Sequence, residues 1–518
     1  MRRRRAWPVA ALLSSASLTA CLTDPAQYGS LGGGGSHAGG ANTGGAPTGG
    51  AGGAGGLGGS GIGGAIGGSG GEGGVGPDAP IDNVVWSTIL GTVGDQSFGA
   101  LAISPSGNIY AGGRWSGSFD MPVLGGACQS AAASPALLYA VDADGVMRWA
   151  RCFGSDAEIT AVDTNVAGEV AIIGNFLGNI NVGGGVVASS ARDMFVVLLS
   201  IDGDILWGST FGSSGDDVGQ GIALGPSDEI YIAGAFHGPM DIGTAHLDVV
   251  GELDLFRAKI VGGQTKWANR IPVASTESEI HLAIRKNGAG PIVAAGTFGN
   301  KIDVDDNGTA DDFSTPDAET DGFILTFDVS GDNVHFIPVS GPGAQAITSV
   351  QTSGNGFAVG GIFDGSVDFD AAGSADPLAV VGQSDAFAAA YDFTGVFQGV
   401  TVIGGDGLEG ALGVAPPRSG TEVALVGTFA GATLLGPTGV TTSDGDTDAF
   451  LATWTGVDAP APTLAGRLGG VGAQTIRAVG WLDGDIIIAG EFWGTLSIGD
   501  KFVTSQSKDA FLARVALP

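Results

Sequence analysis

For a chain of 518 residues the sequence is poor in basic and reactive side chains, with 21 Lys and Arg against 53 Asp and Glu, and only 3 Cys, 5 His, 5 Tyr and 5 Met. The formal charge of -32 and the lack of a basic cluster beyond Arg2 to Arg5 exclude a phosphate-reading surface, so nucleic acid is not an expected partner. No Cys-x-x-Cys or Cys-His cluster suggests a transition-metal centre. No stretch carries a convincing helical period, which argues against helical bundles and α/β folds. After the glycine-rich N-terminal stretch there is no Gly-x-Ser-x-Gly elbow, phosphate loop or dinucleotide fingerprint. What the chain does have is 96 Gly and 43% hydrophobic residues, enough to bury one large core or several small ones.

The first residues have the layout of an export signal: Arg2 to Arg5, then an apolar stretch from Ala6 to Leu18 that is too short to span a bilayer. Leu18-Thr19-Ala20-Cys21 resembles the lipobox of bacterial lipoproteins, which implies diacylation of the Cys21 sulfur and acylation of the new N-terminus. An ordinary signal peptide with a chance cysteine is the alternative. At ~0.8 kcal/mol per buried methylene, two or three palmitate-length chains would hold the protein on a membrane permanently. Leu22 stands where an inner-membrane retention signal would place Asp, so the resemblance points to the outer membrane, periplasmic or surface-facing. From Gly29 to Pro80 the chain is mostly Gly, Ala, Ser and Thr, and cannot bury enough apolar surface to offset its ordering entropy. The expected organisation is a signal peptide over 1–20, a lipidated N-terminus and disordered tether over 21–80, and a folded body over 81–518. A tether of roughly 50 residues has a mean end-to-end distance of about 40 Å.

The body repeats with a period of about 60 residues. Its clearest unit runs Trp207-Gly-Ser-Thr-Phe-Gly, Gly221-Ile-Ala-Leu, Glu229-Ile-Tyr-Ile-Ala-Gly-Ala-Phe236 and Asp254-Leu-Phe-Arg-Ala-Lys-Ile, and reaches Trp267. Strand starts recur at Trp86, Trp149, Trp207, Trp267, Phe336, Val400 and Leu464, and glycine-containing steps at Gly112, Gly174, Gly234, Gly296, Gly360, Gly427 and Gly490. An acidic-aromatic start recurs at Asp193, Asp254, Asp321, Asp385, Asp448 and Asp509, and has degenerated in the first copy around Pro135 to Tyr139. Turn signals such as Ser106-Gly107-Asn108, Asp144-Gly145 and Ser330-Gly331 divide each unit into four short apolar or alternating runs. Four strands in each of seven units predict an all-β fold: a single seven-bladed β-propeller with four antiparallel strands per blade.

The pattern resembles the bacterial seven-bladed β-propeller repeat family, with the best matches at Asp509-Ala-Phe-Leu-Ala, Phe211-Gly-Ser-Ser-Gly-Asp216-Asp217 and Gly107-Asn-Ile-Tyr110-Ala-Gly. The resemblance covers Val84 to Pro518 and departs most in copies four to six, where Phe336 and Val400 replace the strand Trp. It implies that the Ile-Ala strand is innermost and the Trp strand outermost. On that arrangement the last blade lacks its outer strand, which Val84 to Leu90 would supply beside Asp509 to Val515, closing the ring and leaving no open sheet edge.

Cys128 and Cys152 form an even pair, and in an oxidising compartment they are expected to make a disulfide; two isolated cysteines in adjacent elements are the alternative. Asp303, Asp305, Asn307, Thr309 and Asp311 place oxygen donors at alternate positions around Gly308, the pattern of a Ca²⁺ loop. Ser314 stands where the usual bidentate Glu would be, so a solvated acidic loop is the competing reading. Asp444, Asp446 and Asp448 form a weaker acidic loop. The recurring aspartates read as turn and strand-start hydrogen-bonding devices, and the tryptophans as packing between blades. The tip after the glycine step varies through Ser116, Leu177, His237, Asp364, Ala430 and Trp493, as a loop-built binding face would. His237, His246, His281 and His335 show no metal-ligand spacing, and no catalytic residue is identified. The expected role is a monomeric envelope lipoprotein displaying a binding or adhesion module for protein or polysaccharide, with no required cofactor and with Ca²⁺ as a candidate ligand of the acidic loop. The alternatives are a hydrolase or lyase with its site at the central channel, and a structural envelope protein without a discrete ligand.

Overall fold

The structure, a computed structural model, describes residues 81–517 apart from 92–93, 118–123, 125–133, 276–277, 286–287, 289, 307–312, 316, 318, 371–376, 417–421, 435–439, 445, 458 and 460–461. The described residues form seven four-stranded antiparallel blades arranged as a β-propeller. The channel is lined by one strand from each blade, the first in sequence in blades 1 to 6: Gln96–Ile103, Asp156–Thr164, Val218–Leu224, Glu279–Ala283, Gln345–Thr352, Leu408–Ala415 and, in blade 7, Gly472–Leu482. The second, third and outer strands follow outward.

Blade 7 draws its outer strand from the other end of the chain. Val84–Leu90 pairs antiparallel with the third strand, Lys501–Val515, from Val84 opposite Val515 to Leu90 opposite Ala510. The ring closes as the repeat count requires, and no blade is left with an unpartnered third strand. The closure is anchored beyond the ladder. The Ile81 amide donates to the Arg467 carbonyl of blade 6 and the Ala516 amide to that of Asn83.

Apolar side chains concentrate between blades, because each sheet presents one alternating face to its neighbour. The blade 1 to blade 2 core, for example, joins Tyr110, Leu138 and Trp149 to Ile159, Ile172 and Phe195. The outer-strand tryptophans close these cores from outside. Indole Nε1 of Trp86, Trp149 and Trp267 donates to the carbonyls of Ala143, Ile201 and Val329, each in a turn of the next blade. The facing turn glycines leave room for the rings: a Cβ at Gly203, where φ is +84°, would come within 2.7 Å of Trp149.

The recurring aspartates are buried hinge pins between loops and strands. Asp254 accepts from the amides of Val250 at 2.8 Å and Val273 at 3.1 Å, and Asp385 from Val381 at 3.0 Å. A Cβ on Gly91, Gly212, Gly404 or Gly469 would fall 2.2 to 2.7 Å from the carboxyl of Asp509, Asp193, Asp385 or Asp448. The aspartates are therefore architectural, and burial pushes their carboxyls up, Asp321 to about 7 and Asp385 to about 6.

Candidate functional site

The recurring glycine of the second strand decides what faces the channel. A Cβ at Gly113, Gly174, Gly234, Gly296, Gly361, Gly427 or Gly490 would lie 1.8 to 2.1 Å from a carbonyl oxygen of the adjoining inner strand. Only glycine admits so close an approach. In blades 1 and 5 the glycine that fills this place is Gly113 and Gly361, one residue after the Gly112 and Gly360 of the sequence alignment, because both blades carry a Gly-Gly pair and the ladder selects its second member.

Next to this contact the inner strand carries a β-bulge in six blades, which leaves one residue unpaired and turned toward the axis. The bulged residues are Gly99, Thr160, Gln220, Thr348, Leu412 and Arg477. In blade 4 the ladder runs through without a bulge, and His281 takes the corresponding place. These residues line both channel cavities, one of about 280 Å³ along the inner strands and one of about 380 Å³ at the mouth where those strands begin.

Part of this ring ties blades together. Thr160 Oγ1 donates to the Gly219 carbonyl at 2.7 Å, Gln220 Oε1 accepts from the Ile280 amide at 3.2 Å, and Thr348 Oγ1 donates to the Ala411 carbonyl at 2.8 Å. The rest of the mouth is charged. Arg477 Nη2 meets Glu491 Oε1 at 2.6 Å, and Lys508 Nζ lies 3.2 Å from the same oxygen. Arg114 Nη2 meets Asp156 Oδ1 at 2.7 Å. Burial raises Glu491, yet Arg477 and Lys508 outweigh it and hold the carboxyl down at about 2. Glu158, on the blade 2 wall, is pushed up by burial against the pull of Arg477 and Arg114. Across the mouth His281 Nε2 stands 3.7 Å from Glu279.

Three of the six expected tip residues tie their loop to the segment that leads into the inner strand. Ser116 Oγ accepts from the Asp95 amide, Asp364 Oδ1 from the Ala344 amide, and the His237 amide donates to Asp217. Of the six tips only Ser116 lines the mouth. Trp115 is 2% exposed and packs in the blade 7 to blade 1 core, while Trp493 is 40% exposed beside Val471. His246 is exposed between Asp241 and Asp248 and lies outside the channel lining, as does His237.

Cys152 is disulfide-bonded. Cys128, its expected partner, lies outside the described residues, as do Cys21 and the Asn307, Thr309 and Asp311 of the acidic loop. Within that loop Asp303 is buried with its amide on the Pro272 carbonyl, Asp305 is exposed, and Asp306 takes the Arg270 guanidinium at 2.5 Å. Among the described residues no group of three or more His, Cys, Asp or Glu is placed to hold a metal ion. In the second acidic loop Arg467 bridges Asp444 at 2.7 Å and Asp448 at 3.0 Å.

No protein-family model matches the chain, and no curated protein does. Among solved structures it is similar to a protein of unknown function from Dyadobacter fermentans DSM 18053, at 11% identity over 83% of this chain and 98% of that one, with a TM-score of 0.35. It is also similar to the phage phi92 endosialidase, at 10% identity over 83% of this chain and 69% of that one, TM-score 0.36. A third is the subtype N11 neuraminidase-like protein of A/flat-faced bat/Peru/033/2010 (H18N11), at 9% identity over 86% and 97%, TM-score 0.31. Likenesses this distant carry nothing about activity.

Proposed function

We propose that the chain is a cell-envelope lipoprotein, anchored through Cys21 and raised on its glycine-rich tether, whose propeller binds a protein or polysaccharide at the channel mouth. One observation carries this reading. The seven ring positions share a level of the channel but differ in chemistry from blade to blade, as Gly99, Thr160, Gln220, His281, Thr348, Leu412 and Arg477, while the glycines beside them repeat. Repetition maintains the frame, and variation at a concave, polar, partly enclosed place is what ligand recognition requires.

The test is a binding screen of the chain against envelope polysaccharides, peptidoglycan and cell extract, with and without Ca²⁺. Saturable binding lost on His281→Ala or Gln220→Ala, with the melting temperature retained, supports the reading; binding untouched by both variants overturns the mouth as its site. Dependence on Ca²⁺ that Asp303→Asn and Asp305→Asn abolish would assign the metal to the acidic loop.

One observation favours a second reading, a hydrolase or lyase at the same mouth. Burial pushes Glu158 up while its neighbour Glu491 is held down at about 2, the separation that an acid and a base in one cavity need. Turnover of a chromogenic glycoside or ester panel that Glu158→Gln eliminates would establish it.

A further inference from the structure

This inference rests on the mouth being a ligand site and adds the chemistry of the ligand. Three cations from two adjacent blades line the mouth: Arg114 on the second strand of blade 1, and Arg477 and Lys508 on the inner and third strands of blade 7. Arg477 and Lys508 share a single oxygen of one carboxylate, Glu491 Oε1, so these two cations outnumber the acid that pairs with them. A guanidinium has five N–H donors. Arg114 and Arg477 each spend one terminal nitrogen on a protein carboxylate, and both remain partly exposed on the cavity. Gly99 is the ring residue without a side chain, and a Cβ there would just touch the Arg477 stem, 3.9 Å from its Cδ.

Glu158 faces the same space, close enough to both arginines for each to act on its charge. Burial pushes its carboxyl up, which lessens its rivalry with a bound oxyanion. The remaining acids of the mouth are Asp95, which takes the Lys508 amide at 3.2 Å, and Glu279 beside His281 on the opposite wall. With the net charge of -32, they disfavour a polyanion and leave room for one localised charge.

We propose that the channel mouth binds a ligand through a single carboxylate, gripped between Arg114 and Arg477, with the uncharged body of the ligand lying toward Gln220 and His281. A cavity of about 380 Å³ suits one sugar ring or a dipeptide. The same carboxylate chemistry is presented by a uronic acid and by a peptide C-terminus, and the test separates them.

The full chain is titrated calorimetrically with glucuronic acid and with acetyl-alanyl-alanine, each beside its neutral counterpart, glucose and the dipeptide amide. The expected result is saturable binding of one acid, at least ~10-fold weaker for its neutral counterpart, and weakened ~10-fold by Arg114→Gln and by Arg477→Gln. Arg477→Gln leaves Glu491 with Lys508 alone and can cost stability. Arg114→Gln, whose partner Asp156 is partly exposed, is the variant that decides, with its melting temperature checked. Equal binding of acid and neutral counterpart, unchanged affinity in a folded Arg114→Gln chain, or no saturation by either acid overturns the carboxylate. Failure of the underlying reading looks different. If an envelope polysaccharide binds the wild type and both arginine variants equally, the carboxylate falls and the binding module stands; if nothing in the screen binds at all, both fall.

Discussion

The second strand and the inner strand of each blade run side by side and obey opposite rules. On the second strand a glycine recurs seven times because a carbonyl oxygen of its neighbour comes within 1.8 to 2.1 Å of where a Cβ would be. On the inner strand, two residues after that contact, the ring passes through Gly, Thr, Gln, His, Thr, Leu and Arg. The contrast separates steric need from chemical choice: the bulge is built in six of the seven blades, and what it presents is left open.

The largest effect that would sharpen this contrast lies at the ring closure. Removing residues 81–91 takes the outer strand from blade 7 and exposes the edge of Lys501–Val515, so calorimetry should show the cooperative transition shifted down by more than about 10 °C or lost. A melting temperature equal to wild type would mean that blade 7 does not depend on Val84–Leu90. Next comes the glycine itself. Gly296→Ala drives a methyl against the Glu279 carbonyl at 1.8 Å, and denaturant unfolding should register a cost of about 3 to 5 kcal/mol. Leu412→Ala, at the ring, should cost about 1 kcal/mol or less. Equal costs would erase the distinction between frame and site.

A smaller effect comes from the entry to the inner strands, where Gln96, Gln345 and Gln474 donate through their side-chain amides to carbonyls of Ser116, Asp364 and Thr495. Blade 6 has Glu409 there, buried and pushed up to about 8 by that burial, with Asp385 and Asp406 adding to the shift. Because this pKa is higher folded than unfolded, the native state holds the proton more tightly. Its stabilising contribution is full below about 4.5 and is lost as pH rises through about 8. Glu409→Gln should therefore stabilise the chain by about 1 to 3 kcal/mol at pH 8 and have little effect at pH 4. The opposite ordering would show that the carboxyl is ionised in the fold.

A slope of comparable size is left in that variant. Asp321 at about 7 and Asp385 at about 6 act in the same direction, so stability should still decline from pH 4 to pH 7. Glu491, held down at about 2, acts in the opposite sense: its contribution is present above about 4.5 and disappears as pH falls through 2. A melting temperature that rises steadily from pH 4 to 7 would contradict the burial of the aspartates.

The frame was legible because its residues answer backbone needs that recur in every blade. The Trp starts, the Asp-x-Phe starts and the missing outer strand led to Val84–Leu90 beside Asp509–Val515, the pairing found in the last blade. The site was less legible because a bulged position tolerates any side chain, and so has no signature of its own. Its only trace in the sequence was the glycine across the ladder, and the Gly-Gly pairs at Gly112 and Gly360 shifted even that by one residue. The varied tips look like the site instead, yet Ser116 and Asp364 are spent on the amides of Asp95 and Ala344, which lead into the inner strands. Glu158, Arg477, Glu491 and Lys508 come from four different strands, and only the ring brings them to one cavity.

The central claim is that the channel mouth, and not the outer rim, recognises the ligand. Its most direct test is titration of whichever envelope component the chain binds into two variants of equal melting temperature, Gln220→Ala with His281→Ala at the mouth, and Trp493→Ala at the rim. The account predicts at least a ~10-fold loss of affinity for the mouth variant and wild-type affinity for the rim variant. Retained affinity at the mouth with loss at Trp493 would contradict it.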